Sequence, residues 1–491
     1  MTHFRKKNIF ELNIQKTFLF LLAIFIIKVL SILNSPLSLS VDEAQYWDWS
    51  NNLQFGYFSK PPVIAWLIAF TTYFFGIAEW SVRLSAPIIH FLITVMVWFI
   101  SKNIYSVKVA NLSALIWATL PLNSFGSLII STDTPLLLFW CVSLFALLKT
   151  LESNKVFWPI LLGMSVGLGF LTKYAALYFV IILICLIIFN QRFKKNILKF
   201  IISICIFLIV CTPNFYWNYL NDLSTINHTA YNANLNVISL NYIEPIKFIA
   251  TQLIICGPFI LIAYLFRIKK IKLNNKNEFL LICFSLPILV IIIIQALLKT
   301  SNANWAATAF PAVIILIGSF FYFNYKSIFR FFIILNLVLN FCIFLFLTKV
   351  FVTGSFYPIQ IKSDPLRKLK GYPEISEKIN LIIKKEKFKA ILFTKRNDIA
   401  KFSYYLKTDN KNTKRFYLTL RHSPINHYEY FYDFRNHDLK KEDIVFIINH
   451  SNKIHTSFSK YFKDLNNFGT ISLNTTHDKT IKYHIIKGTI N

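Results

Sequence analysis

The feature that most constrains this chain is the recurrence of apolar runs that approach or reach the roughly 20 residues a helix needs to cross a bilayer. They fall near 17–34, 83–101, 108–127, 134–150, 156–172, 174–190, 197–214, 245–266, 279–298, 303–323 and 328–349. Lipid offers no partner to an unpaired backbone N–H or C=O, so runs of this length are satisfied as helices, and about eleven of them predict an all-α polytopic membrane protein. The run at 61–76 is short and opens on Pro61-Pro62, which predicts an interfacial or re-entrant helix, with a full span as the alternative. No small-residue cleavage site follows the first run, so it is expected to stay as the first helix. Composition agrees: 55% of the 491 residues are hydrophobic and 15% charged, too little charge to cover a soluble protein of this size.

A formal charge of +29, from 52 Lys+Arg against 23 Asp+Glu, raises the question of nucleic acid. The basic residues are spread along the chain, however, and many sit in short loops between apolar runs, where topology explains them better. With a cytoplasmic N-terminus, inner segments carry Arg5, Lys6, Lys7, Lys16; Lys102, Lys108; Lys149, Lys155; Arg192, Lys194, Lys195, Lys199; Arg267, Lys269, Lys270, Lys272, Lys276; and Lys326, Arg330. The outer side keeps Lys60, Arg83, Lys173, Lys247, Lys299 and Lys349, an inside excess of about threefold. An odd number of spans then puts the C-terminus outside. No nucleic-acid partner is expected. The seven cysteines lie in or beside apolar runs, so neither a disulfide framework nor a CxxC metal site is expected.

From about residue 352 the chain turns polar and lysine-rich, with short β-like runs at 389–394, 415–420, 443–449 and 481–487 and a helical pattern at 397–406. This predicts a transmembrane domain over 1–351 followed by a soluble α/β domain over 352–491.

Polar residues concentrate on the outer side. The first outer loop carries Asp42-Glu43-Ala44-Gln45-Tyr46-Trp47-Asp48-Trp49 and then Tyr57-Phe58-Ser59-Lys60-Pro61-Pro62. Acids beside three aromatic rings suit a helix at the membrane surface, on which Asp42 and Tyr46 share a face while Asp42 and Glu43 diverge by about 100°. Either Asp42 caps that helix and Glu43 complements its dipole, or the acids have other partners. The second outer loop, Ser131-Thr132-Asp133-Thr134-Pro135, poses the same choice for Asp133. Lys173, after Gly167-Leu168-Gly169-Phe170-Leu171-Thr172, is either a snorkelling lysine or the partner of an anion. The long outer loop begins Pro213-Asn214-Phe215-Tyr216-Trp217-Asn218 and contains His228, and an aromatic belt accounts for its rings without a ligand. His90 has no second His or Cys at ligand spacing and is expected to be a packed histidine. Carboxylates, a few cations and aromatics above lipid-facing helices point to an amphiphile with an anionic head group.

Asp42-Glu43-Ala44-x-Tyr46 followed by Tyr57-Phe58-x-Lys60-Pro61-Pro62 resembles the C-type glycosyltransferase superfamily, and within it the bacterial lipid A aminoarabinose transferases and the protein O-mannosyltransferase-like proteins. The resemblance runs in order through Arg83-Leu84, Thr132-Asp133-Thr134-Pro135-Leu136, Gly167 to Tyr174, Trp217-Asn218, Gly257-Pro258 and Asn304-Trp305, covering most of residues 1–320. The tail is similar only weakly, at Asp364-Pro365-Leu366 to Gly371 and at Phe402-Ser403-Tyr404-Tyr405.

The resemblance implies inverting transfer of a sugar from a polyprenyl (undecaprenyl) phosphate to lipid A or another envelope glycan, on the periplasmic face of a bacterial inner membrane. It makes Asp42 the essential carboxylate, with Glu43 and Asp133 beside it in the catalytic group, and Lys60 the contact to the donor phosphate, joined by Arg83 or Lys173. Tyr46, Tyr57, Trp217, Asn218 and Asn304 would line the donor and acceptor cavity. With a hydroxyl acceptor Asp42 could act as base; with a phosphate acceptor it would orient the donor sugar or a cation. No cofactor is implied with certainty, and a divalent cation stays open. Protein hydroxyls are the runner-up acceptor, and a lipid-linked sugar flippase is the reading from another class, although paired discontinuous helices and inverted symmetry are not evident.

Overall fold

The structure, a computed structural model, describes residues 13–491 except 234–239, 270–275, 324–326, 358, 360–363, 408–412, 422, 438 and 477–478. Among the described residues, seven helices are long and apolar enough to cross a membrane: Ile14–Leu33, Glu79–Ile104, Asp133–Glu152, Ile197–Leu220, Lys276–Leu298, Ala303–Phe323 and Arg330–Thr353. An eighth span would be the pair Ile243–Cys256 and Pro258–Ile268, bent by 105°. The bend has a local cause. Gly257 sits at φ +87°, a left-handed conformation that side chains disfavour, and Pro258 cannot continue the helix behind it.

Every apolar run expected to span coincides with a helix or helix pair, but the expected eleven full-length spans reduce to seven or eight by length. Val107–Thr119 stops short because Pro121 restarts the chain as a separate helix, Pro121–Gly126. Phe157–Phe170 and Tyr174–Phe189 are likewise short apolar helices, as is Val63–Phe75 after the two prolines.

The chain divides into two compact units, the first made of Met1–Asn34, Arg83–Trp217 and Ala230–Lys349, the second of Ser35–Val82, Asn218–Thr229 and Val350–Asn491. The first unit is the helical bundle. One close approach lies between Phe157–Phe170 and Ile197–Leu220, where a Cβ on Gly163 would run into the Ser203 carbonyl oxygen and one on Gly167 would stand 2.8 Å from Val210. Small residues four apart let two backbones meet where lipid gives helices no hydrophobic reason to associate. The Ser203 hydroxyl adds a 2.8 Å bond to the Pro159 carbonyl.

The second unit is built on a five-stranded sheet of β1 (Ala390–Phe393), β2 (Lys414–Tyr417), β3 (Ile444–Asn449), β4 (Phe462–Thr476) and β5 (Lys479–Ile490), in the order β2-β1-β3-β5-β4. β1 runs parallel to β2 and β3, while β5 runs antiparallel to β3 and β4. β1 and β3 are buried on both faces: Ile391 and Phe393 pack with Ile375, Ile379, Phe402 and Tyr483, Ala390 and Leu392 with Phe416, Val445 and Ile486. That is why the sequence there reads as unbroken apolar runs.

Two loops that precede the sheet by hundreds of residues belong to the same unit. The Val41–Ser50 helix packs on the Arg396–Tyr405 helix. Trp47 meets Tyr404 edge to face at 4.8 Å, the Leu39 N–H donates to the Tyr405 hydroxyl at 2.7 Å, and the Ser38 N–H donates to the Leu369 carbonyl at 2.9 Å. The 218–229 stretch is held by Thr225, whose hydroxyl donates to the Tyr57 carbonyl at 2.6 Å, and by Asp222, which accepts from the Tyr430 hydroxyl at 2.9 Å.

Candidate functional site

The Val41–Ser50 helix shows which acid the fold itself needs. Ser40 is the N-cap, its hydroxyl accepting the Glu43 N–H at 3.2 Å while the Glu43 carboxylate accepts the Ser40 N–H at 2.8 Å. This reciprocal box satisfies two of the helix's orphan donors, so Asp42 does not act as the cap. Glu43 is 1% exposed, and its carboxylate serves the cap of this helix. Asp42 projects outward with its side chain 62% exposed.

What Asp42 meets is Arg396. The guanidinium donates from Nη2 to Asp42 Oδ1 at 2.6 Å and from Nε to Gln45 Oε1 at 2.7 Å. Lys60 lies in the same unit, in a turn where its carbonyl accepts the Tyr57 N–H at 3.0 Å, and the buried Pro61 and Pro62 follow it into Val63–Phe75. His228 joins these groups electrostatically, for burial first and then the charges of Lys60 and Arg396 push its pKa down to about 4, so its imidazole is neutral near pH 7. Its ring stands 5.2 Å from Phe58, which in turn lies 5.6 Å from Tyr430.

Tyr46 and Tyr57 turn inward. Tyr46 is 6% exposed, against Trp49, and Tyr57 stacks on Trp49 at 4.6 Å with its hydroxyl bonded to the carbonyls of Trp49 and Asn52. These contacts make both rings the core of the outer loop. Beneath the same helix lies an acid that the sequence did not single out: Asp48, whose carboxyl is pushed up to about 6 by burial, against the opposing pull of Tyr428 and Arg415. His427 nearby is held down at about 3, by burial and then by Arg396.

In the first unit, Asp133 opens the Asp133–Glu152 helix, and its carboxylate is shared. Oδ1 accepts from the Lys173 ammonium at 2.7 Å and Oδ2 from the Asn304 amide at 2.6 Å. Both oxygens therefore serve partners distant in sequence, and neither caps the helix. Lys173 and Asp133 are 17% and 16% exposed, a partly shielded pair whose charges compensate. Arg83 is fully buried in this unit. Trp217 is 8% exposed at the end of the first unit's segment. Asn218 opens the second unit's segment, and its carbonyl accepts from the N–H groups of Asn221 and Leu223 at the turn before Ser224–Ala233. His90 is packed as expected, its Nε2 3.4 Å from the Thr134 hydroxyl.

Among the described residues, Asp42 and Lys60 lie with Arg396, Gln45 and His228 in one unit, and Asp133 with Lys173 and Asn304 in the other. Arg396 and Gln45 were not legible as site residues, because their partnership spans 351 residues of sequence.

The chain combines an apolar helical bundle with a mixed five-stranded sheet. Residues 59–217 match the family described as dolichyl-phosphate-mannose-protein mannosyltransferase. Among solved structures, the chain is similar to ArnT from Cupriavidus metallidurans bound to undecaprenyl phosphate, with a TM-score of 0.68 at 11% identity, covering 97% of this chain and 98% of that one. Among curated proteins it is similar to the lipid A galacturonosyltransferase RgtD of Rhizobium johnstonii, 33% identical over 279 residues, which are 56% of this chain and 59% of RgtD. It is also similar to the lipopolysaccharide core galacturonosyltransferase RgtA of the same organism, 24% identical over 42% of each chain. The matched stretches thus span about three fifths or less of these two relatives.

Proposed function

We propose that the protein is an integral membrane glycosyltransferase that moves a sugar from a polyprenyl phosphate to lipid A or another lipopolysaccharide acceptor. The observation that carries the reading is Asp42: an acid that its helix does not need as a cap, exposed, and held beside Arg396 in a group that also contains Lys60. The likenesses to RgtD, RgtA and ArnT support the acceptor and the lipid donor.

In this mechanism the acceptor oxygen attacks the anomeric carbon from the face opposite the phosphate, the bond from that carbon to the phosphate oxygen breaks, and the configuration inverts. Polyprenyl phosphate leaves with the electron pair. Lys60 neutralises the leaving phosphate, a charge-assisted contact that gains as the bond opens. A hydroxyl acceptor gives its proton to Asp42. A phosphate acceptor has none to give, and Asp42 then orients the donor. Asp133, with Lys173 and Asn304, is assigned to binding rather than proton transfer, since both of its oxygens already accept hydrogen bonds. Lys60, Asp42 and residues 352–491 are assigned to the periplasmic side, with the N-terminus cytoplasmic, on the loop-charge asymmetry.

Mass spectrometry of lipid A and core from cells with the gene, without it, and complemented with Asp42→Asn tests the reading. A hexose- or uronic-acid-sized mass shift present only with the wild-type gene is expected. A shift found on secreted proteins instead would move the acceptor to the protein hydroxyls that the matched mannosyltransferase family suggests.

A further inference from the structure

The span Ala303–Phe323 changes its winding part of the way along. Ala303–Ala309 is a seven-residue 3-10 helix, and Phe310–Phe323 is α-helical. Pro311 accounts for the change at the junction, since its ring nitrogen cannot donate to the Ala307 carbonyl as a continuous α-helix would require. The first turn has no such cause. Four of its helix's seven residues are alanine, the strongest α-helix former, and 3-10 runs beyond three or four residues are uncommon. Asn302 at the N-cap position makes no side-chain cap either, so the turn is held from outside the segment.

The winding matters because of Asn304. This residue is exposed, so packing does not fix it, yet its amide donates to Asp133 Oδ2 at 2.6 Å, on the carboxylate whose other oxygen takes the Lys173 ammonium at 2.7 Å. A 3-10 helix rises about 2.0 Å per residue against about 1.5 Å in an α-helix, so rewinding the stretch from Asn304 to Phe310 would draw Asn304 back by about 3 Å and turn it by about 120°. Either displacement breaks the bond to Asp133.

Gln252 supplies the hold. It lies on Ile243–Cys256, on the buried face that it shares with Phe248 and Cys256, and is 2% exposed. Its Nε2 donates to the Ala303 carbonyl at 3.0 Å, while its Oε1 has no partner among the described residues. An apolar side chain would fill that stripe without an orphaned oxygen, which is costly in a membrane interior, so the bond to Ala303 is what the glutamine contributes. All of these residues lie in the first unit.

We propose that Gln252 is a positioning residue: by gripping Ala303 it keeps the first turn in its 3-10 winding and so sets the Asn304 amide against Asp133. This rests on the assignment of Asp133, Lys173 and Asn304 to binding in the transfer reading, and adds the residue that acts through them.

The test uses the full-length protein in detergent and two readouts, hydrogen–deuterium exchange over residues 303–309 and the KM and kcat of transfer to lipid A. Gln252→Leu is expected to speed exchange over 303–309 by about 5-fold or more, with the rest of the bundle at wild-type rates, and to raise the KM of donor or acceptor by about 5-fold or more with kcat near wild type. Asn304→Ala should raise the same KM by about 10- to 100-fold, the worth of a hydrogen bond to a charged group. Because Gln252 acts through Asn304, the double variant should be no worse than Asn304→Ala, whereas a residue that only stabilises the bundle would add its loss to that of Asn304→Ala. Gln252→Glu regains the donor when its carboxyl is protonated, so its KM relative to wild type should rise with pH, and it carries the comparison if Gln252→Leu does not fold. Unchanged exchange over 303–309 overturns the inference, as does faster exchange with a wild-type KM, or additive losses in the double variant. If wild type transfers no sugar to lipid A, the transfer reading falls instead, and exchange over 303–309 still decides whether Gln252 holds the turn.

Discussion

Replacing Asp42 with asparagine separates chemistry from architecture because the structure assigns the helix cap elsewhere. Ser40 and Glu43 form the capping box, and Asp42→Asn leaves both untouched. What the variant removes is the ion pair to Arg396, between side chains 62% and 37% exposed. Solvent screens a pair of that exposure to about 0–1 kcal/mol, and the Arg396–Gln45 hydrogen bond survives the change. The melting temperature in detergent should therefore move by no more than about 4 °C. Turnover should fall far more, by at least about 100-fold, the lower end of what a positioned general base supplies. Ser40→Ala is the mirror control: loss of the cap should cost about 1 kcal/mol of stability, with turnover per folded molecule near wild type. The assay is transfer to purified lipid A, followed by mass spectrometry, alongside thermal melts of both variants. Wild-type turnover by Asp42→Asn would refute the catalytic assignment. So would a melting loss larger than that of Ser40→Ala, since Asp42 would then be holding the loop together.

Lys60→Ala should weaken polyprenyl phosphate binding by about 2 to 4 kcal/mol, and Lys60→Arg by less, whereas a lysine that only anchors the loop would tolerate both; binding to detergent-purified variants decides. Gly163→Ala drives a methyl group into the Ser203 carbonyl oxygen and should cost about 1–3 kcal/mol in a thermal melt. Gly169→Ala, whose new methyl would meet its nearest atoms at 3.5 Å, should be near neutral, and equal melts would discredit the close helix contact. Asp48 is raised from 3.8 to about 6, so between those values the folded protein holds the proton more tightly than the unfolded chain and stability falls as pH rises through the window. Asp48→Asn should accordingly raise the melting temperature at pH 7.5 and change it little at pH 3.5; a pH-independent effect would contradict the burial of that carboxyl.

Some elements are legible in the sequence because their burial is two-sided. β1 and β3 announce themselves because both faces are covered, so nearly every residue is apolar. β4 did not: Phe462–Thr476 lies at the sheet edge, is interrupted by bulges near Phe462/Asp464 and Asn467/Gly469, and alternates too weakly to signal a strand. Hydropathy found the spans for the same reason it found the core strands. It overcounted those of crossing length because apolarity persists through breaks such as Leu120-Pro121 and Gly257-Pro258, where backbone chemistry rather than hydrophobicity ends the helix.

For the site, the sequence named Asp42, Lys60 and Asp133, together with Lys173 and Asn304 that bond Asp133, but not Arg396 or Gln45 beside Asp42. Capping can be read within four residues, yet the sequence alone could not decide whether Asp42 was the cap, since Ser40 and Asp42 both stand where an N-cap could. Only the observed Ser40–Glu43 reciprocity frees Asp42 for another task. That task needs Arg396, which lies in a tail whose resemblance to the family is weak, and nothing in the periodicity around residue 396 marks its guanidinium as aimed at the first loop. The loop in turn depends on the tail, through Trp47 on Tyr404, Leu39 on Tyr405 and Ser38 on the Leu369 carbonyl. The tail thus supplies both the support for the loop and the cation facing Asp42, so a substitution at Arg396, Tyr404 or Tyr405 reaches the acid without touching the loop motif.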